Sequence, residues 1–170
     1  MAYGDSDHGE FDRADREREQ VGQFELGTDG PSVILAGIDE SVTALRAGAY
    51  AAGLARRQRA RLIVVYVAPT PLVVSPAAAG VNVIAAETEA HQAVAAELRA
   101  QVEEASRDRG IPVTFTQAHG DPYTEIVRIA DEVRADAIVV GASMKAGHKL
   151  IGSLAVRLVR AGKWPVTVVP

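Results

Sequence analysis

Apolar runs and amphipathic stretches alternate along most of this chain. Ser32–Ile38 and Leu62–Val67 are continuous apolar runs, as expected of parallel strands buried on both faces. Ala137–Val140 is a shorter run stopped by Gly141. Val113–Gln117 instead alternates, the pattern of an edge strand exposed on one face, and Pro165–Val169 closes the chain as a last strand. Helical spacing fills the intervals. Asp39 or Ser41 can cap a helix that runs to about Arg59, with Leu45, Ala49, Ala52 and Ala55 on one face. A long helix from Ile84 to Arg109 places Val94, Leu98 and Val102 on one stripe and stops at Gly110. Gly120-Asp121-Pro122 turns into a helix from Tyr123 to about Arg134, and Ser153 reads as the N-cap of a final helix. Ala68–Val83, with Pro69, Pro71, Pro76 and Gly80, reads as a loop. Five strands alternating with four helices predict an α/β domain on an open parallel sheet, with no internal repeat.

Residues 1–30 break this pattern. They hold nine acids against Arg13, Arg16 and Arg18, a balance of −6, and carry no sustained periodicity beyond a transient helix over Glu10–Val21. They are expected to form a disordered acidic extension, with the folded domain spanning 31–170. The rest of the chain has 13 acids and 15 bases, a balance of +2. Such near-neutrality argues against nucleic acid as a partner. Arg56, Arg57, Arg59 and Arg61 form a basic run, but they fall where a helix should end and where cations complement its dipole.

Three further features narrow the class. Leu62–Ala86 is free of charge, yet its three prolines and the strand at its start fit a buried strand followed by an apolar loop better than a membrane span. The first residues show no apolar run with a basic flank, so no secretory signal is read and a cytoplasmic protein is expected. The chain has no cysteine, which excludes disulfides, thiol catalysis and cysteine-ligated zinc.

The most promising chemistry follows Val140. Gly141-Ala142-Ser143-Met144-Lys145-Ala146-Gly147-His148-Lys149 is small and polar and leads to a helix N-terminus at Gly152-Ser153. Open amides and positive dipole there suit an anion, and glycines allow its close approach. The loop matches no standard phosphate motif. The P-loop spacing fails because His148 follows Gly147, the nucleophile elbow fails because Lys145 stands where its second glycine belongs, and G-x-G-x-x-G is absent. His91 has no second ligand at helical spacing and reads as a boundary residue. Asp121 before Pro122 reads as a helix cap. No nucleophile and base can be paired, so binding rather than catalysis is expected, with no metal site. In open α/β sheets ligands sit beyond the strand carboxyl ends where the connections reverse. Asp39, Tyr66-Val67 and Gly141 hold those positions after the first, second and fourth strands.

Gly37-Ile38-Asp39-Glu40-Ser41, Gly120-Asp121-Pro122, Asp136–Gly141, Gly152-Ser153 and Trp164–Val169 together resemble the universal stress protein family. The resemblance covers about Ser32 to Pro170 and rests on the order and spacing of these motifs rather than on any one. It implies a Rossmann-like, adenine nucleotide alpha hydrolase-like sheet in the order 3-2-1-4-5 with helices on both faces. In nucleotide-binding members a G-x2-G-x9-G-[ST] pattern holds the phosphates of ATP. Carried over, Gly141, Gly152 and Ser153 would face phosphate, joined by Ser143 and Lys145 of the same loop. Asp39 would meet the ribose or adenine, and Val67 the adenine edge. This chain departs from the pattern. Met144 replaces the second glycine and only seven residues separate it from Gly152. The resemblance thus implies a stress-response protein that binds ATP or a related adenine nucleotide. Trp164–Val169 is apolar, poor in charge and a sheet edge in that order, so a homodimer through it is expected. The alternative is a dimeric interaction module of the same fold without nucleotide.

Overall fold

A computed structural model describes residues 30–70, 80–143 and 152–170. The expected acidic extension, most of the proline-containing loop, and Met144, Lys145, His148 and Lys149 lie outside the described residues. Pro31–Pro170 is one compact unit.

Its centre is β1, Val33–Ile38, which pairs in parallel with β2 (Arg61–Ala68) on one side and β4 (Ala137–Gly141) on the other. β3 (Val113–His119) lies outside β2, and β5 (Val166–Val169) outside β4. The order is therefore β3-β2-β1-β4-β5, as the family resemblance implies. The chain reverses direction of winding between β1 and β4. The carboxylate of Asp136 fixes their starts together: its Oδ2 accepts from the amides of Ser32 and Val33, each at 2.8 Å.

Alternation along the strands divides the core. Ile34, Ala36, Leu62 and Val64 face helices α1 (Val42–Gln58) and α2 (Gly80–Arg109), whereas Leu35, Ile63, Val65 and Ile138 face α3 (Pro122–Val133) and α4 (Ser153–Ala161). The central strands are buried on both sides, which explains their unbroken apolar runs.

α1 starts where Ser41 Oγ accepts from the Ala44 amide, and it ends at Arg59 in the left-handed region, φ 55°. Its buried stripe differs from the predicted one. Thr43, Ala44, Ala47, Ala51 and Ala55 are buried, while Ala49 is exposed and Leu45 is 43% exposed. Of the expected face, Ala55 alone is buried and Ala52 is partly so. Small residues at 44, 47, 51 and 55 let the helix axis come close over β1 and β4, and that contact sets the rotation. α2 begins at Gly80, before the expected Ile84; its Leu98 is buried, and Val94 and Val102 pack on the same core as predicted.

Candidate functional site

Every strand of a parallel sheet points its carboxyl end the same way, so the N-termini of the following helices gather at one edge. Here those of α1, α3 and α4 meet around a cavity of about 470 Å3 beside the β1/β4 reversal. Gly37 and Asp39 from the end of β1, Val67 from β2, Gly141 and Ser143 from β4, and Gly152 and Ser153 from α4 all line it. The structure thus brings together the predicted Asp39, Val67, Gly141, Ser143, Gly152 and Ser153. Lys145 is outside the described residues.

The three helix ends differ in how their open amides are met. Ser41 caps α1. Asp121 caps α3, with Oδ1 accepting from the Thr124 amide at 3.0 Å and the Thr124 hydroxyl at 2.8 Å. These hydrogen bonds, joined by Arg157 at 3.1 Å from Oδ2, hold the Asp121 carboxyl below the usual carboxylate range. Among the described residues, no side chain caps α4. The residue in the cap position is Gly152, φ −60° and ψ 157°, and not Ser153, which the sequence reading had placed there. Ser153 is already the first helical residue, so its hydroxyl lies past the position from which a cap accepts from the N2 or N3 amide. The first bond of α4 runs from Val156 N to Gly152 O at 3.1 Å. Helix geometry leaves the amides of Ser153, Leu154 and Ala155 without intrahelical acceptors. All three residues line the cavity.

Gly141 has a second reason to be glycine. A Cβ there would sit 2.6 Å from Ala44 N and 2.6 Å from the Thr43 carbonyl carbon, so the first turn of α1 occupies the space. Thr43, 2% exposed, completes the junction by donating its hydroxyl to Ala142 O at 2.7 Å. With that hydrogen committed, the Ser41 hydroxyl 3.2 Å away donates to Thr43 Oγ1. Sequence reasoning missed Thr43. The available signal was a lone hydroxyl in the first turn of an alanine-rich helix. At the other end of the loop, a Cβ on Gly152 would lie 2.8 Å from Ser143 Cβ, so the two flanks of the loop close tightly on each other.

Asp39 is exposed, and its Oδ1 accepts from the Ser41 amide at 2.8 Å, which turns the carboxylate toward the entry of α1. Val67 lies within β2, paired with Ala118, rather than beyond the strand end. Its neighbour Tyr66 points to the opposite face and meets His91 Nδ1 at 3.2 Å, which makes His91 the boundary residue expected of it. Burial, then the negative charges of Glu40 and Asp39, push the Tyr66 hydroxyl above its ordinary value. Around the cavity the described polar groups are hydroxyls, one carboxylate and open amides, an arrangement able to hold an anion near a hydroxylated neighbour.

Known proteins match this architecture. A universal stress protein of Methanocaldococcus jannaschii is 30% identical over 134 residues, 77% of each chain. A solved structure from the universal stress protein family of Burkholderia pseudomallei is 27% identical, with TM-score 0.63 over 82% of this chain and 96% of that one. A universal stress protein solved in complex with cAMP is 25% identical, with TM-score 0.63 over 84% of this chain and 99% of that one. The model of the universal stress protein family matches residues 32–170, from the first residue before β1 to the last of the chain, and this protein belongs to that family.

Proposed function

We propose that this universal stress protein binds an adenine nucleotide, ATP or a close relative, in the crevice between β1 and β4. The observation that carries this reading is the N-terminus of α4, where no side chain among the described residues caps the helix and Ser153, Leu154 and Ala155 line the cavity, whereas Ser41 and Asp121 each meet one amide at the starts of α1 and α3. In this reading the phosphates rest against Gly152 and Ser153, with Gly141 and Ser143 lining their approach and Lys145 adding a cation. Asp39 takes the ribose hydroxyls, and the Val67 backbone borders the adenine. That a similar structure is named as a complex with cAMP supports the ligand class. The role is binding rather than catalysis, because the described residues of the cavity pair no nucleophile with a base, and it is exercised in the cytoplasm, where adenine nucleotides are held.

Titration calorimetry with ATP, ADP and AMP, on protein stripped by unfolding and refolding, tests the reading. Wild type should give heat, and Gly152→Val should abolish it, since the new side chain enters the 2.8 Å gap to Ser143. Ser153→Ala should weaken binding by roughly tenfold, the scale of one hydrogen bond to a charged group. Absence of heat with every nucleotide refutes it.

The second reading, a dimeric interaction module, draws on β5. It is the edge of the sheet, with Val166–Val169 only partly buried, and an uncovered edge is a template for a second chain. Homodimerisation through Trp164–Val169 is compatible with nucleotide binding and survives its failure. Trp164 and Val168 also pack inward on the α3/α4 core, so Thr167 is the position at which to test the edge.

A further inference from the structure

On the face away from the crevice, α1 and α2 leave a second, apolar cleft between them, of about 170 Å3. Both helices follow strands of one parallel sheet, so both run the same way and end at the N-terminal edge of the sheet. Their facing stripes repeat the same spacing. Leu45, Ala49 and Ala52 form one wall, and Leu98, Val102 and Ala105 the other. Eleven residues beyond each leading leucine stands an arginine, Arg56 on α1 and Arg109 on α2. Arg109 lines the cleft, and Arg56 continues the α1 wall by helical spacing. Both are exposed, and neither takes part in an ion pair among the described residues. The other end has the opposite sign: Glu40 and Glu97 border the adjoining hollow beside Leu45 and Leu98.

We propose that this cleft binds a free, single-chain amphiphile with an anionic head, a medium-chain carboxylate. Its head lies at Arg56 and Arg109, and its alkyl chain runs between the helices toward Leu45. The polarity of the cleft sets that orientation, because Glu40 and Glu97 repel a carboxylate from the far end while two unpaired arginines attract it at the near one. Three considerations favour an alkyl chain. Leu45 is 43% exposed beside other apolar side chains, the described side chains along the walls from Leu45 to Ala52 and Leu98 to Ala105 are apolar apart from Gln101, and the length is right. The rise from Leu45 to Ala52 is about 10 Å, which takes a chain of roughly eight carbons. The site is independent of the crevice and of whether a nucleotide binds there.

The test is calorimetry of the full chain with sodium octanoate below its micelle concentration. Octanoate should bind at one site, with hexanoate about fifteenfold weaker, because each buried methylene contributes about fourfold. Arg109→Gln should weaken octanoate roughly fivefold, the upper range for an exposed ion pair. Ala49→Trp, at an exposed helix position, should fill the cleft and abolish binding. Ala105→Leu, from the other wall, gives the same readout if the tryptophan variant fails to fold. Saturating ATP should leave octanoate binding unchanged. Absence of octanoate binding overturns the proposal, as does binding that persists in both cleft-filling variants or equal affinity for octylamine. Sedimentation with phosphatidylglycerol vesicles without octanoate binding also overturns it, in favour of a membrane surface.

Discussion

Replacing Gly141 by alanine separates two explanations for the same glycine. If Gly141 matters only because phosphate must come close, Gly141→Ala should lower ligand affinity and leave stability alone. The packing of α1 predicts a large stability loss without any ligand. The added Cβ would lie 2.6 Å from two backbone atoms, Ala44 N and Thr43 C, and 2.9 Å from Ala44 Cα. Backbone cannot rotate aside as a side chain can. To restore the 3.4 Å at which ordinary contact begins, the first turn of α1 must withdraw by about 0.8 Å. That movement would stretch the bond from the Thr43 hydroxyl to Ala142 O from 2.7 Å toward the limit of hydrogen bonding. Overpacking of this kind costs about 1–3 kcal/mol, and loss of a part-buried hydrogen bond about 1 kcal/mol more. The expected destabilisation is therefore about 2–4 kcal/mol, a large share of the roughly 5–15 kcal/mol that holds a domain together. Urea unfolding followed by circular dichroism should show a lower midpoint at unchanged slope, and Tm should fall by roughly 5–15 °C. A change within about 0.5 kcal/mol would refute the packing explanation. Thr43→Val, measured alone and with Gly141→Ala, adds a second check: the two effects should be less than additive, since both act on one junction.

Asp121→Ala should cost about 1 kcal/mol by removing the α3 cap. Asp121→Asn keeps the cap but not the charge, so it should cost less. Because the folded carboxyl is held low by Thr124 and Arg157, its stabilisation is present above the usual carboxylate pKa and lost as pH falls through the folded value. The Asn variant should therefore converge on wild type in acid, and a gap that persists at the lowest pH would contradict this. Tyr66 behaves in the opposite sense: its raised pKa keeps the phenol neutral when folded, so its contribution is complete below the ordinary pKa near 10 and is lost as pH rises through the folded value. Urea midpoints of wild type and Tyr66→Phe, compared at pH about 9 and about 11, should show the wild type losing more. Thr167→Lys on the edge strand should convert dimers to monomers in light scattering; an unchanged dimer places the interface elsewhere, and a wild-type monomer removes that reading.

The sequence by itself determined the fold class, because apolar runs alternating with amphipathic stretches mark strands buried on both sides between helices; the strand order followed from the family resemblance. Short unbroken runs such as Ile34–Ala36 and Leu62–Val65, set between helical stretches, fit central strands of a parallel sheet, and the alternation of Val113–Gln117 marks an edge. Gly110 and Asp121-Pro122 declared helix boundaries through local chemistry, since a positive φ and an N-cap need no distant partner. The places of Asp39 and Gly141 at the crevice were legible for a related reason: in a parallel sheet, standing at the carboxyl end of a strand is already a position in space. Tertiary contacts decided what local pattern left open. The rotation of α1 was one such matter, because Leu45 and Ala44 are equally good helix residues and only the approach of the helix to β1 and β4 buries the smaller. Another was the true cap of α4, since Gly152 and Ser153 are adjacent and Gly152 is the one that lies tight against Ser143, where a Cβ would not fit. The roles of Gly141 and Thr43 were the last. These residues meet across 98 positions of chain; a hydroxyl in the first turn of α1 hints at a polar partner, but which partner is decided only once β4 lies beside β1.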